Sequence, residues 1–212
     1  MITVLIIAAV LVAIAEFGDK TQMLSLVLAS RYPARTVLAG VGAAVLLLQL
    51  IATGAGRIVG DLIPERALAL LTAALFVGFG IWTLRDASDS GEESVETVRG
   101  GWGPAAAVAV AFFVAELGDK TQVLTLAIAA DPGMAARVLA PLGIDTVAQP
   151  GGVATFFAVW IGSSIGMMVV NGLAILAGNV IGRRLSRRLI ARISGVLFIL
   201  FGLAALAASY LS

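Results

Sequence analysis

Two stretches of this chain carry acidic, basic and neutral oxygen groups at the same spacing: Glu16-Phe17-Gly18-Asp19-Lys20-Thr21-Gln22 and Glu116-Leu117-Gly118-Asp119-Lys120-Thr121-Gln122. Six of the seven positions are identical. Residues three and four apart share one face of a helix, so Glu16, Asp19 and Lys20 form one cluster and Glu116, Asp119 and Lys120 another. Gly18 and Gly118 sit between the acids, where a glycine permits close backbone approach or a broken helix with exposed carbonyl oxygens. Thr21, Gln22, Thr121 and Gln122 add neutral oxygens. Carboxylates with neutral oxygens suit hard divalent ions such as Ca2+, Mg2+ or Mn2+, and the same acids can exchange protons.

Each motif interrupts a long apolar run, Ile2 to Ala29 for the first and Ala105 to Ala130 for the second. A carboxylate at the centre of a bilayer costs about 2.5–3.5 kcal/mol even on lenient insertion scales. Spanning a membrane does not require such groups. The rival reading is a pair of salt bridges locking two helices together. Charge neutralisation alone would not need the repeated glycine, threonine and glutamine. The motifs therefore read as a site made twice and assembled once, between two halves of the chain.

The surrounding sequence is that of an integral membrane protein. Of 212 residues, 60% are hydrophobic and only 13% charged, with mean hydropathy +1.04, whereas soluble domains carry about 25% charged residues. There is no cysteine and no histidine, which excludes disulfides, thiolate metal sites and imidazole-ligated haem. The net charge of +1 and the lack of a basic-aromatic groove give no sign of nucleic acid. With no basic region ahead of the first apolar run, that run reads as a transmembrane helix rather than a cleaved signal.

The expected fold is all-α and polytopic, with six transmembrane helices. The spans run from about Ile2 to Ala29, Thr36 to Val59, Ala67 to Leu84, Ala105 to Ala130, Val153 to Val180 and Ile193 to Leu211. The first exceeds the ~20 residues a bilayer needs, so tilt or a break near Gly18 is expected. Gln49 is a lone amide in the second span, read as a packing hydrogen bond or the edge of the site. The fifth span contains Asn171. Residues 131–152, rich in Gly and Pro, read as a surface-lying or re-entrant piece.

The repeat extends past the motifs. Gly56-Arg57-Ile58-Val59-Gly60 resembles Gly178-Asn179-Val180-Ile181-Gly182, and Gly80 matches Gly202 at the same offset. Each half is then three spans: residues 1–85, an acidic linker at 86–103, and residues 104–212. An odd number of spans inverts the second half, the arrangement of many secondary transporters with a binding site between the halves. Arginines cluster after the first, third and fifth spans (Arg31, Arg35, Arg85, Arg99, and five from Arg183 to Arg192). The positive-inside rule makes that face cytoplasmic and puts both termini outside.

The doubled Glu-x-Gly-Asp-Lys-Thr-Gln, one copy opening each half, resembles a family of small cation–proton antiporters. That family includes bacterial and cyanobacterial manganese exporters, with plant chloroplast and Golgi members that handle manganese and calcium, and is grouped with the lysine-exporter superfamily. The resemblance covers essentially the whole chain. It implies export of Mn2+ or Ca2+ in exchange for H+ across the plasma (inner) membrane, with no organic cofactor and no enzymatic step. The family's signature acids fall on Glu16, Asp19, Glu116 and Asp119, expected as metal ligands with Gln22 and Gln122. Lys20, Thr21, Lys120 and Thr121 are expected to support or couple them, and Gly18 and Gly118 to supply flexibility. The partners implied are the ion, protons and the lipid bilayer, with homo-oligomerisation left open. The superfamily also permits export of a small amino acid or organic cation, which would need a larger pocket. A non-transporting membrane scaffold is the third reading.

Overall fold

A computed structural model describes residues 1–17, 19–86, 103–133 and 152–177, with positions 192, 195–196, 199–200, 202–203 and 206–207 near the C-terminus. Seven helices are described: α1 Ile2–Glu16, α2 Lys20–Arg31, α3 Ala34–Leu62, α4 Glu65–Asp86, α5 Pro104–Glu116, α6 Lys120–Ala130 and α7 Val153–Ala177. The fold is all-α. Among the described residues two helices, Ala34–Leu62 and Val153–Leu176, are long and apolar enough to cross a membrane.

The stretches expected as single first and fourth spans are each two helices. At 1.5 Å per residue, α1 rises only about 22 Å and α5 about 20 Å, short of the ~30 Å hydrocarbon core. The second break shows why the chain stops there. Leu117 has φ −63°, ψ 115° and Gly118 has φ +83°, and the Asp119 amide donates to the Glu116 carbonyl at 3.1 Å. That is a type II turn, whose third position needs a positive φ and hence glycine. The first motif shares the features that can be described: Phe17 at φ −66°, ψ 120° and Asp19 N donating to Glu16 O at 3.2 Å. Gly18 itself lies outside the described residues, as do 87–102 of the linker, 134–151 of the loop expected as re-entrant, and most of the expected sixth span.

The two broken helices pack on the long helices of the opposite half. Along α3, Gly40 lies against Ala105 and Val108, Gly56 against Leu126 and Ala129, and Gly60 against Ala130. Thus α3 runs beside α5 and α6 in the same direction, bridging their break. In α7, Gly162 lies against Leu5 and Gly166 against Ala9 and Ala13, so α7 runs parallel to α1. Each of these five glycines faces backbone so closely that a Cβ would collide with it, which lets the helices approach as small-residue seams do in membranes. The long helices cross each other in opposite directions. Gly42 contacts Met168, Gly172 contacts Leu38, and the Trp160 indole donates to the Leu46 carbonyl at 2.9 Å. Gly80 of α4 and Gly202 pack α4 against the C-terminal stretch, through Gly195 and Ile199 on one side and Ala73 and Val77 on the other.

Polar and charged groups lie buried within an otherwise apolar core. Glu16, Gln49, Glu116, Lys120, Thr121 and Asn171 are buried. An apolar stripe on α7, Phe157, Ile161, Ile165, Val169 and Leu173, is exposed at a spacing of four, as are Ile2, Ile6 and Val10 of α1. Polar groups inside and helix-length apolar stripes outside are what lipid demands. The protein is a membrane protein.

Candidate metal site

The two turns hold the site. Glu16 and Glu116 close α1 and α5, while Asp119 stands at the N-cap of α6 without capping it through its side chain. The type II turn keeps glutamate and aspartate of one motif adjacent while breaking the helix between them. The packing of each broken helix on the opposite half then brings the two turns together. Carboxylate oxygens of Glu16, Glu116 and Asp119 all lie within 4.8 Å of one another, with both glutamates buried.

Asp19, the fourth expected ligand, has a different immediate neighbour. The Lys120 ammonium lies 2.7 Å from Asp19 Oδ2, an ion pair joining the two motifs. Asp119 and Glu16 also lie in the field of that ammonium, after Asp19, and the Asp19 and Asp119 carboxyl groups face each other. Lys120 is therefore placed where a cation is already balancing the acids. Gln122, expected to offer an oxygen to the ion, accepts a hydrogen bond from Gly118 N through Oε1 at 2.8 Å, which fastens its own turn. Thr121 is fully buried, with no hydrogen-bond partner for Oγ1 among the described residues. Gln22 is half-buried beside the first turn, and its backbone amide donates to Asp19 O at 3.2 Å. The side chains of Lys20 and Thr21 lie outside what is described.

Two residues reach the site without a motif to announce them. Asn171 of α7 donates through Nδ2 to Glu16 Oε1 at 2.8 Å, and to the Met167 carbonyl at 3.2 Å. Ser25 of α2 donates to Asn171 Oδ1 at 2.9 Å. This buried chain fixes the amide so that its N–H group faces the carboxylate, which a charge-assisted bond strengthens. An asparagine inside a span reads in sequence only as a packing amide. The signal that finds it is its position at the same offset from Gln49 as Gly202 from Gly80, 122 residues.

Three converging carboxylates, two of them buried, suit a hard divalent cation, and protonation is the other way to satisfy them.

Comparison with known proteins agrees with this chemistry. Residues 4–91 and 152–212 match the family described as divalent cation/proton antiporter GDT1. The chain is 32% identical over 205 residues to a Vibrio cholerae protein named "Putative manganese exporter", covering 96% of this chain and 90% of that protein. It is 28% identical over 219 residues to GDT1-like protein sll0615 of Synechocystis, covering 95% of each. It is also 27% identical over 215 residues to GDT1-like protein 3 of Arabidopsis thaliana, covering 90% of this chain and 66% of that protein. No solved structure matches. The chain belongs to the GDT1 family of divalent cation/proton antiporters, which are transporters and not enzymes.

Proposed function

We propose that this chain exports Mn2+ or Ca2+ in exchange for protons, at one site built jointly by its two motifs. The observation that carries the reading is the convergence of Glu16 and Glu116, from opposite halves, with Asp119 inside 4.8 Å. Glu16, Glu116 and Asp119 hold the ion, and Asp19 joins them when Lys120 releases it. Gln22 and Gln122 supply neutral oxygens or hold the turns. Lys20, Thr21, Lys120 and Thr121 support the acids and couple their charge to the ion. Four acids and two lysines give the motifs a formal charge of −2. One divalent ion or two protons neutralise that charge equally well, so a one-for-two exchange keeps the buried site neutral throughout.

The architecture proposed is two inverted three-span repeats, residues 1–85 and 104–212, joined by a cytoplasmic linker at 86–103, in the plasma membrane with both termini outside. The parallel pairing of α3 with α5–α6 and of α7 with α1, with α3 and α7 antiparallel, supports it: inverted repeats require these directions. The arginine distribution supports the orientation. The amino-acid or organic-cation alternative gains nothing from these findings.

Ion flux in proteoliposomes tests the reading, with Mn2+, Ca2+ and Mg2+ compared under an imposed pH gradient. Protons flowing inward are expected to drive Mn2+ or Ca2+ outward. A rate unaffected by setting or collapsing the gradient would make the protein a channel or uniporter.

A further inference from the structure

Two offsets relate the halves. One of 100 residues pairs Glu16 with Glu116 and Ser25 with Thr125, and one of 122 pairs Gly40 with Gly162 and Gln49 with Asn171. Both hold in space, since Gly40 packs on Ala105 as Gly162 packs on Leu5. Gln49 thus stands on α3, relative to α5 and α6, where Asn171 stands on α7 relative to α1 and α2. Around Asn171 the chain of bonds is complete: Ser25 donates to the amide oxygen and the amide donates to Glu16. The corresponding groups are Thr125, Gln49 and Glu116, and they are arranged differently. Gln49 Nε2 donates to the Met167 sulfur at 3.4 Å, a weak acceptor. Gln49 Oε1 and Thr125 Oγ1, both buried, have no hydrogen-bond partner among the described residues. An acceptor and a donor at the positions matching Asn171 and Ser25 are thus both without a bond in this state.

We propose that Gln49 is a positioning residue for Glu116, and that transport alternates between two mirror-related states. In the state seen here, Ser25 and Asn171 hold Glu16 while Gln49 rests on Met167. In the other, Thr125 donates to Gln49, Gln49 donates to Glu116, and Asn171 releases Glu16. Each half-cycle exchanges one amide–carboxylate bond for the other, so the two states stay close in energy, as alternating access requires. The proposal rests on the antiporter reading and adds the residue that balances its two states.

Gln49→Leu is expected to retain near-wild-type Mn2+ affinity in detergent, because in the state seen here Gln49 rests on Met167 and holds none of the acids, whereas Asn171 holds Glu16. It is expected to slow Mn2+/H+ exchange in proteoliposomes by about tenfold or more, the weight of one hydrogen bond to a charged group. Thr125→Val should slow exchange less. Wild-type exchange in Gln49→Leu would overturn the proposal. So would loss of binding together with exchange in a folded variant, which would make Gln49 a ligand. If Gln49→Leu does not fold, Gln49→Met is judged by the same two outcomes. A second readout needs no transport. The isotope-labelled side-chain amide of Gln49, observed by NMR in micelles, should report two exchanging environments, and Thr125→Val should remove one. A single environment indifferent to Thr125→Val would overturn the proposal. If wild-type vesicles show no exchange while the amide behaves as expected, the transport reading fails and the paired-amide reading stands.

Discussion

Replacing Lys120 with glutamine removes an ammonium 2.7 Å from Asp19 Oδ2, where both side chains are only 10–15% exposed. The pair is not a surface bridge worth little. Removing one partner of a buried pair costs about 3–5 kcal/mol, because the other charge stays behind without compensation. Here Asp19 would stay behind beside Asp119 and within the field of Glu16, and their repulsion adds in the same direction. With about 2–4 °C of melting temperature per kcal/mol for a chain of this size, ion-free Lys120→Gln should melt roughly 6–20 °C below wild type. A divalent ion supplies the missing positive charge, and binding at a hundred times Kd stabilises by about 2.7 kcal/mol. The variant should therefore recover more than wild type gains when Mn2+ is added. Thermal unfolding of detergent-purified protein, with and without Mn2+, measures both quantities. A variant as stable as wild type in ion-free buffer would refute the energetic reasoning. A defect that Mn2+ does not narrow would show that Lys120 and the ion do not answer the same acids.

Further outcomes follow from the geometry. Asn171→Leu removes the donor on Glu16 and should weaken Mn2+ binding by about ten- to a hundredfold, the range of a hydrogen bond to a charged group, as read by calorimetry. Gly118→Ala meets no atom within 4 Å but must adopt φ +83°. It should lower stability by about 1 kcal/mol or more and disturb binding through the turn that carries Glu116 and Asp119, measured by melting and titration. Alanine at Gly56 or Gly166 drives a Cβ into the backbone of Leu126 or Ala9 and should cost about 1–3 kcal/mol or more. Gly54→Ala, with open space around it, should instead be neutral or stabilising by up to about 1 kcal/mol in the same melting assay.

What the sequence carries here depends on whether the physics is local. The break at Gly118 is legible because a glycine between two acids in an apolar run has few other uses, and the type II turn gives that glycine its reason. The doubling of the motif and the glycine pairs at a common offset are legible because they are repeats. The partition of the acids is not. Nothing local says that Lys120 chooses Asp19 of the other motif, since that contact exists only after helices from the two halves meet. Asn171 and Ser25 were hidden for the same reason: a single amide or hydroxyl in a span is a common packing device, and only tertiary placement aims it at Glu16. The expected spans at either motif were long enough to call for a tilt or a break, and the chain breaks into two helices at each.

The claim that both motifs serve one ion is tested most directly by binding stoichiometry. Calorimetry on the detergent-purified Glu16→Gln, Asp19→Asn double variant should find Mn2+ binding lost or severely weakened, because Glu116 and Asp119 alone cannot repay the ion's dehydration. One ion bound per chain at near-wild-type affinity in that variant would mean that each half holds its own ion, and would contradict the shared site.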